Sequence, residues 1–183
     1  MEKRRATRRR ARRTMTEMSI IIRDERHGEE KAIAELTTLA FTTLAMASGT
    51  EAAIVDALRQ AGALTLSLLA EQDGEIVGHV AFSPAVLGKI EGWYGLGPVS
   101  VRPDLHKQGI GSALIKAGLD RLRVLGASGC VVIGHPAYYP RFGFAANPRL
   151  TFLGEAGEHV MALSFGGSEP AGEVGFHPVF SGA

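Results

Sequence analysis

Two segments in the first third of the chain carry apolar residues at helical spacing. We predict amphipathic helices over residues 29–43 and 51–60, in which apolar positions recur three or four residues apart. The apolar positions of the two segments are Ile33, Leu36, Ala40, Ile54, Val55 and Leu58. Thr50 directly precedes the second segment and is a residue type that commonly caps a helix.

Shorter apolar runs, several with alternating polarity, predict β-strands. They occupy residues 19–23, 65–71, 75–83, 96–101 and 129–133, followed by two short strands between 151 and 163 and a last piece at 172–180. Asp73 and Gly74 separate the second and third runs, and this dipeptide between two β-prone runs predicts a hairpin. Pro84 is predicted to end the third strand, which leaves residues 87–95 as a loop.

The strand at 96–101 leads through a glycine-bearing loop into a third helix, predicted over residues 109–125. Pro98 lies inside this strand and cannot donate a hydrogen bond to a neighbour, so we expect the strand to bulge or separate there. A buried strand at 129–133 follows the helix, and a helical crossover joins parallel strands. The pattern therefore predicts an α/β fold in which a ligand lies at the carboxyl ends of these two strands.

Composition narrows the classes of protein that this chain can be. Its 183 residues, 45% of them hydrophobic, are enough for one domain with a sizeable core. One cysteine, Cys130, excludes an internal disulfide framework and is typical of a reducing, cytoplasmic setting. No apolar run of about 18 residues is present, so no membrane-spanning helix is predicted. The six histidines form no metal-ligand spacing, and we predict no metal site.

The charge of the chain is concentrated at its start. Residues 1–18 hold eight basic and two acidic residues, which leaves 12 basic and 17 acidic residues in the remainder. Such an arm can bind nucleic acid through phosphate contacts, but the acidic remainder gives no support to that function. We therefore interpret residues 1–18 as a disordered basic arm, or as a mis-assigned start with translation beginning at Met15 or Met18, and residues 19–183 as the domain.

The loop before the third helix has the composition of an anion-binding site. Glycines at 109 and 111 allow the backbone to approach a phosphate, and the first N–H groups of a helix have no intrahelical partner. The loop lacks the third glycine of a dinucleotide fingerprint and the G-K-[ST] of a P-loop. A tight strand-to-helix turn without a ligand is the structural alternative.

Two signatures together resemble one family. Val101-Arg102-Pro103 is followed by HKQGIG at 106–111, and the strand at 129–133 is followed by GHPAYYPRFGF at 134–144. The first resembles the V-x-P and [Q/R]-x-x-G-x-[G/A] pattern, and the second the Y-x-x-x-G-F pattern, of the GCN5-related N-acetyltransferase (GNAT) superfamily. Over residues 19–180 the chain resembles a bacterial subgroup described as predicted N-acetyltransferases. It departs from the family at His106, usually Gln or Arg, and from the subgroup at His135, usually Asp.

The resemblance implies a fold and a cosubstrate. The fold is a single GNAT domain with a mixed, mostly antiparallel sheet, flanked by helices, whose central strand splays to admit the pantetheine arm of acetyl-CoA. Acetyl-CoA is implied as the cosubstrate. The residues implied to bind it are Val99, Ser100, Val101, His106, Lys107, Gln108, Gly109, Ile110, Gly111 and Ser112.

Tyr139 is the catalytic residue that the resemblance implies, as the acid that protonates the leaving thiolate of CoA. Tyr138 is the alternative acid, and a core aromatic without a catalytic role is the structural interpretation of Tyr139. Backbone N–H groups near Val99 to Val101 are candidates to hold the oxyanion. The strand at 96–101 has no carboxylate to act as the base. The candidate bases are Glu51, Glu91, His79 and His135.

The sequence thus predicts an N-acetyltransferase that transfers the acetyl group of acetyl-CoA to a primary amine by direct attack in a ternary complex. The acceptor would be a small molecule or a peptide, and homodimers are common among such domains. The alternative is a catalytically silent CoA-binding module that serves as a sensor or an assembly component. The missing base and the two histidine departures favour that alternative.

Overall fold

A computed structural model of the chain describes residues 19–44, 47–167 and 169–181. The basic arm predicted over residues 1–18 lies outside the described residues. The three α-helices of the described part are α1 (Glu30–Thr42), α2 (Glu51–Gln60) and α3 (Ile110–Val124). Short 3-10 turns occupy Pro103–Leu105, Tyr139–Phe142 and Pro178–Phe180.

The strands of the described part form a mixed, mostly antiparallel sheet, as predicted. They are β1 (Ile21–Asp24), β2 (Leu66–Gln72), β3 (Glu75–Leu87), β4 (Ile90–Val101), β5 (Gly129–Ile133), β6 (Ala145–Ala146), β7 (Leu150–Thr151), β8 (Val160–Ser164) and β9 (Gly172–Phe176). The order is β1-β2-β3-β4-β5-β8-β6, and β9 pairs with both β3 and β7. Only β4 with β5 and β7 with β9 run parallel.

The core lies on both faces of this sheet because successive strand residues point to opposite sides. On one face, α3 packs against residues such as Leu68, Val80 and Phe82. On the other face, α1 and α2 contribute Ile33 and Val55, which pack against the neighbouring positions on β2 and β3. The three predicted amphipathic helices are therefore confirmed. Each packs its apolar side against the sheet, α3 on one face and α1 and α2 on the other.

The prediction that Pro84 ends β3 was wrong. The strand continues to Leu87 and turns directly into β4, so residues 87–95 are mostly strand rather than a loop. A proline fits because β2 pairs with β3 only as far as Phe82, and β9 pairs with it only from Ala85 onward. Pro84 therefore lies where one side of the strand needs no N–H donor.

The predicted bulge and splay of β4 are confirmed, and both lie at Pro98. Val80 faces Val99 and Phe82 faces Leu96, so Gly97 and Pro98 lie together opposite one residue of β3. On the other side, β4 pairs with β5 only through residues 93–95. The sheet is thus open between the second half of β4 and the end of β5.

Candidate active site

A cleft of about 760 Å³ occupies this opening. It lies between β4, the loop before α3, the first turn of α3 and the segment after β5. The predicted cofactor-binding residues that line it are Val99, Val101, His106, Lys107, Gly109, Ile110, Gly111 and Ser112. The structure therefore gathers eight of the ten predicted residues around one cavity.

The backbone of β4 presents hydrogen-bonding groups to this cleft. Arg102 donates from its N–H to the carbonyl oxygen of Val77, which makes these two residues a hydrogen-bonded pair of the antiparallel ladder. Because such pairs alternate along a ladder, Ser100 directs its N–H and C=O toward β3. Val99 and Val101 then direct theirs away from β3, toward the unpaired edge.

Ser100 and Gln108 are the two predicted residues that do not line the cleft. The Ser100 side chain is fully buried on the opposite face of the sheet, where its hydroxyl donates to Thr37 Oγ1 on α1 at 3.2 Å. With its backbone paired to β3 as well, Ser100 has no group directed into the cleft. Gln108 is exposed at the tip of the loop.

The loop before α3 turns its backbone with two left-handed residues. Gly109 has φ of +85° at the position that precedes the helix, and Lys107 has φ of +63°. No side chain caps the N-terminus of α3, so the N–H groups of its first turn remain available to a ligand. His106 folds back over the loop and donates from Nε2 to the carbonyl oxygen of Val101 at 2.9 Å.

Gly111, in the first turn of α3, lies close to Tyr138 and Val101, which also line the cleft. A Cβ placed on it would lie 3.3 Å from the Tyr138 hydroxyl and 3.5 Å from Val101 Cγ2. The absence of a side chain at this position keeps the cleft open at the helix N-terminus. The hydroxyl of Tyr138 accordingly lies beside the N-terminus of α3.

Every charged residue that lines the cleft is basic. Among the described residues, Lys107 and Arg141 are its permanent cations, His106 and His135 add two imidazoles, and no carboxylate lines it. Arg141 stacks its guanidinium over the Tyr138 ring at 4.4 Å from the ring centre, a cation–π contact that fixes its direction. Sequence reasoning missed Arg141 because its side chain is brought into the cleft by the 3-10 turn at Tyr139–Phe142.

Tyr139 lies at the inner end of the cleft. Its ring lies against the backbone of Gly134, where an added Cβ would be 2.3 Å from Tyr139 Cε2. Ring contacts with Tyr138 and Phe144, at 5.1 and 5.9 Å between centres, hold it from the other sides. Burial raises the pKa of Tyr139 to about 12, so the phenol is protonated at neutral pH. Its hydroxyl makes no hydrogen bond within the described part of the chain.

A second cavity, of about 440 Å³, begins where the cleft ends. It shares Leu44, Val99 and Tyr139 with the cleft. The remaining lining residues are Phe41, Glu51, Ile54, Gly95, Leu96, Gly97, Pro98, Ile133, Phe152, Phe176 and Phe180. Tyr139 thus lies between two cavities of different chemistry, one cationic and one apolar with a single carboxylate.

Of the four candidate bases, only Glu51 lines the second cavity. Glu91 is exposed near the start of β4 and lines neither cavity. His135 is on the cationic cleft, where its Nδ1 accepts from the N–H of Ala137 at 3.2 Å. His79 is fully buried on β3, and its Nε2 is 2.9 Å from the Ser67 hydroxyl.

His79 is a structural residue, and we expect it to make the free energy of unfolding depend on pH. Burial lowers the pKa of His79 to about 3, with a smaller contribution from the positive charge of Arg59. The unfolded chain binds a proton at this histidine below about pH 6.5, whereas the folded chain does not. We therefore expect the free energy of unfolding to fall by about 2 kcal/mol from this group between pH 7 and pH 5.

Urea unfolding of the wild type and His79→Gln at a series of pH values measures this contribution. The wild type should lose stability more steeply than the variant below pH 6.5. Equal pH slopes for the two proteins would contradict the assignment of a neutral, buried imidazole.

Glu51 combines a structural contact with its position in the cavity. Its Oε1 accepts from the Ser48 N–H at 2.7 Å and from the Ser48 hydroxyl at 2.9 Å. The predicted cap, Thr50, makes no side-chain capping bond to the helix. Burial acts to raise the pKa of Glu51, but hydrogen bonds from its own N–H and from Ser48 and Gly49 outweigh it, so the pKa is lowered. Glu51 is therefore a carboxylate at neutral pH.

Cys130 has no access to either cavity. Its side chain is fully buried in β5, and burial raises the pKa of the thiol above its usual value. A protonated thiol enclosed in the core is not a nucleophile. Within residues 19–44, 47–167 and 169–181, no group of three or more His, Cys, Asp or Glu side chains could hold a metal ion. No helix in the same ranges is long and apolar enough to cross a membrane.

Comparisons with known proteins point to one family. The sequence profile of the acetyltransferase (GNAT) family matches residues 30–144. The uncharacterized N-acetyltransferase YhbS of Escherichia coli K12 is 38% identical over 129 residues, which cover 69% of this chain and 72% of the relative.

Solved structures show the same fold. A GNAT family acetyltransferase from Brucella melitensis, crystallised in complex with acetyl-CoA, is 46% identical with a TM-score of 0.80, over 90% of this chain and 99% of that one. Escherichia coli YhbS in complex with CoA is 31% identical with a TM-score of 0.82, over 90% of this chain and 93% of that one.

Proposed function

Because the chain belongs to the GNAT acetyltransferase family, we propose that it transfers the acetyl group of acetyl-CoA to a primary amine by direct attack in a ternary complex. One observation carries this proposal. In the described part of the chain, a cleft whose charged lining residues are all basic meets, at Tyr139, an apolar cavity with a single carboxylate. The first suits an anionic ligand and the second a cationic one, and their junction is where two substrates could react.

The cleft has groups for each part of acetyl-CoA. The uncapped N-terminus of α3, together with Lys107, would bind the pyrophosphate. The N–H and C=O groups of Val99 and the N–H of Val101 form a strand edge that no neighbouring strand of the described residues pairs with, and they would pair with the amides of the pantetheine arm, whereas the C=O of Val101 accepts from His106. The thioester would then lie near Tyr139, at the end of the cleft. The relatives crystallised with acetyl-CoA and CoA support this assignment.

The proposed reaction forms one bond and breaks another. The amine nitrogen attacks the thioester carbonyl carbon, and the oxyanion accepts hydrogen bonds from backbone N–H groups on the open edge of β4. As the C–S bond breaks, the Tyr139 hydroxyl donates its proton to the sulfur. An amine that enters as an ammonium ion first releases one proton to water. The proton that the nitrogen loses after the attack restores the phenol, so the products are the N-acetyl amine, CoA thiol and one proton in solution. The buried Cys130 supports a mechanism without an acetyl-cysteine intermediate.

Calorimetric titration with acetyl-CoA, followed by an assay of thiol release with a panel of amines, tests the proposal. Micromolar binding and amine-dependent release of CoA would support it. Binding without transfer to any amine would favour the silent CoA-binding module instead. Absence of binding would overturn both. A cytoplasmic location fits the substrate and the single, buried cysteine.

Ser100 and Ser112 allow a paired test of the cleft. We expect Ser100→Ala to leave the affinity for acetyl-CoA within about twofold and to cost about 1 kcal/mol of stability, since only its bond to Thr37 is lost. Ser112→Ala, in the first turn of α3, should weaken acetyl-CoA binding severalfold because Ser112 lines the cleft and the substitution removes its one polar side-chain group. Calorimetry and urea unfolding measure both effects. The reverse pattern would show that the cofactor lies on the other face of the sheet.

A further inference from the structure

The cavity beyond Tyr139 has an aromatic wall. Phe152 packs edge-on against Phe176 at 5.5 Å between ring centres, and Phe176 contacts Phe180 at 5.6 Å. Gly95 leaves the space that the middle ring, Phe176, occupies, because a Cβ at position 95 would lie 2.7 Å from Phe176 Cδ1. These three rings form a continuous apolar surface that would be covered by a ligand of matching character.

α1 and α2 add Phe41 and Ile54 to the lining, and Phe180 packs against the cluster that contains Ile54. Of the residues that the structure describes, Glu51 is the only charged one that lines the cavity. Both Ser48 hydrogen bonds go to Oε1 of this carboxylate, and a carboxylate has about four lone-pair sites, so Glu51 retains the capacity to accept a further bond beside those from Ser48, Gly49 and its own N–H. The cavity therefore has one place for an ammonium group and apolar surface around the rest of the ligand.

We propose that the acceptor is a monoamine with an apolar body, of the alkylamine or arylalkylamine class, whose nitrogen binds Glu51 and whose body fills the aromatic cavity. This inference rests on the proposed acetyl transfer. A cavity of about 440 Å³ is of the size that holds a small molecule. A second ammonium, or the hydroxyls of a sugar, would meet mostly apolar side chains and no second carboxylate among the described lining residues, which disfavours polyamines and aminoglycosides.

Two amines that differ in one group provide the matched test: n-pentylamine and 1,5-diaminopentane. With the wild-type protein and saturating acetyl-CoA, we expect kcat/KM to be at least about tenfold higher for n-pentylamine. 2-Phenylethylamine should be as good a substrate or better, since its ring can pack on the phenylalanines. A preference for the diamine, or none, would overturn the inference.

Glu51→Gln tests the anchor, because the glutamine carbonyl can still accept the Ser48 bonds while the charge is lost. We expect KM for n-pentylamine to rise about tenfold or more with a smaller change in kcat, and Glu51→Asp to recover part of the loss. Glu30→Gln is the matched control, since Glu30 accepts a backbone bond in the first turn of α1 and lines neither cavity. An unchanged KM in Glu51→Gln would overturn the role of Glu51.

The test separates this inference from the proposal on which it rests. Transfer to polyamines but not to monoamines would overturn the acceptor class and leave the acetyltransferase intact. Binding of acetyl-CoA without transfer to any of the amines would overturn both the proposed transfer reaction and the proposed acceptor class. Thermal unfolding of each variant establishes that it is folded before its kinetics are interpreted.

Discussion

Tyr139→Phe should lower kcat by one to three orders of magnitude and leave the affinity for acetyl-CoA within about twofold. The substitution removes only the hydroxyl, and the ring can keep its contacts with Gly134, Tyr138 and Phe144. The hydroxyl makes no hydrogen bond within residues 19–44, 47–167 and 169–181, so its loss leaves no partner unsatisfied there. The expected effect is therefore on the departure of the thiolate and not on the fold.

The other two tyrosines serve as controls for this prediction. Tyr94→Phe changes a residue of the core that lines neither cavity, and kcat should not change. Tyr138→Phe changes the hydroxyl beside the N-terminus of α3, where an effect on acetyl-CoA binding is expected instead. Initial rates of thiol release and calorimetric titration measure kcat and affinity for all three. A wild-type rate in Tyr139→Phe with a large loss in Tyr138→Phe would transfer the acid role to Tyr138.

Structural features that depend on a short stretch of sequence were predicted correctly. The bulge at Pro98 follows from the missing N–H of one residue, and it depends little on the remainder of the chain. The same proline argument failed at Pro84. Whether a proline interrupts a strand depends on the neighbours of that strand, and the partial pairing of β3 with β2 and β9 cannot be deduced from local sequence.

Ser100 shows the limit of a motif that names consecutive residues. In a strand, neighbouring side chains point to opposite faces and neighbouring backbone groups to opposite edges. Val99 and Val101 therefore reach the cleft, whereas Ser100 between them faces α1 and β3. The bulge at Pro98 adds one residue to β4. The face on which the later residues lie therefore cannot be found by counting alternate positions from the start of the strand.

The apolar cavity could not be predicted, because it is assembled from parts of the chain that are far apart in sequence. Phe176 reaches it only because β9 adds to β3, with Ala85 opposite Phe176. Glu51 was a candidate from its position at the start of a helix, where a carboxylate is ordinary. Only its position on the same cavity as the open part of β4 distinguishes it from the other candidate bases.

Replacing both loop glycines, in Gly109→Glu together with Gly111→Glu, should abolish measurable binding of acetyl-CoA. The two carboxylates would bring negative charge to the N-terminus of α3, where the pyrophosphate is proposed to lie, and like charges at a few ångströms repel strongly. The side chain at position 111 would also fill the space that Gly111 leaves open between α3, Val101 and Tyr138. Calorimetric titration of wild type and variant gives the result directly.

Two further variants separate loss of the site from loss of the fold. Gly109 has a left-handed backbone, so a side chain there adds strain, whereas Gly111 has ordinary helical geometry and meets the movable end of Tyr138. Gly111→Glu alone should therefore remain folded and still lose most of its affinity. Gly166→Glu adds the same charge at a position with open space outside both cavities, and its affinity should equal that of the wild type. Wild-type affinity in Gly111→Glu would place the phosphates elsewhere, because no pyrophosphate can share the first turn of α3 with that carboxylate.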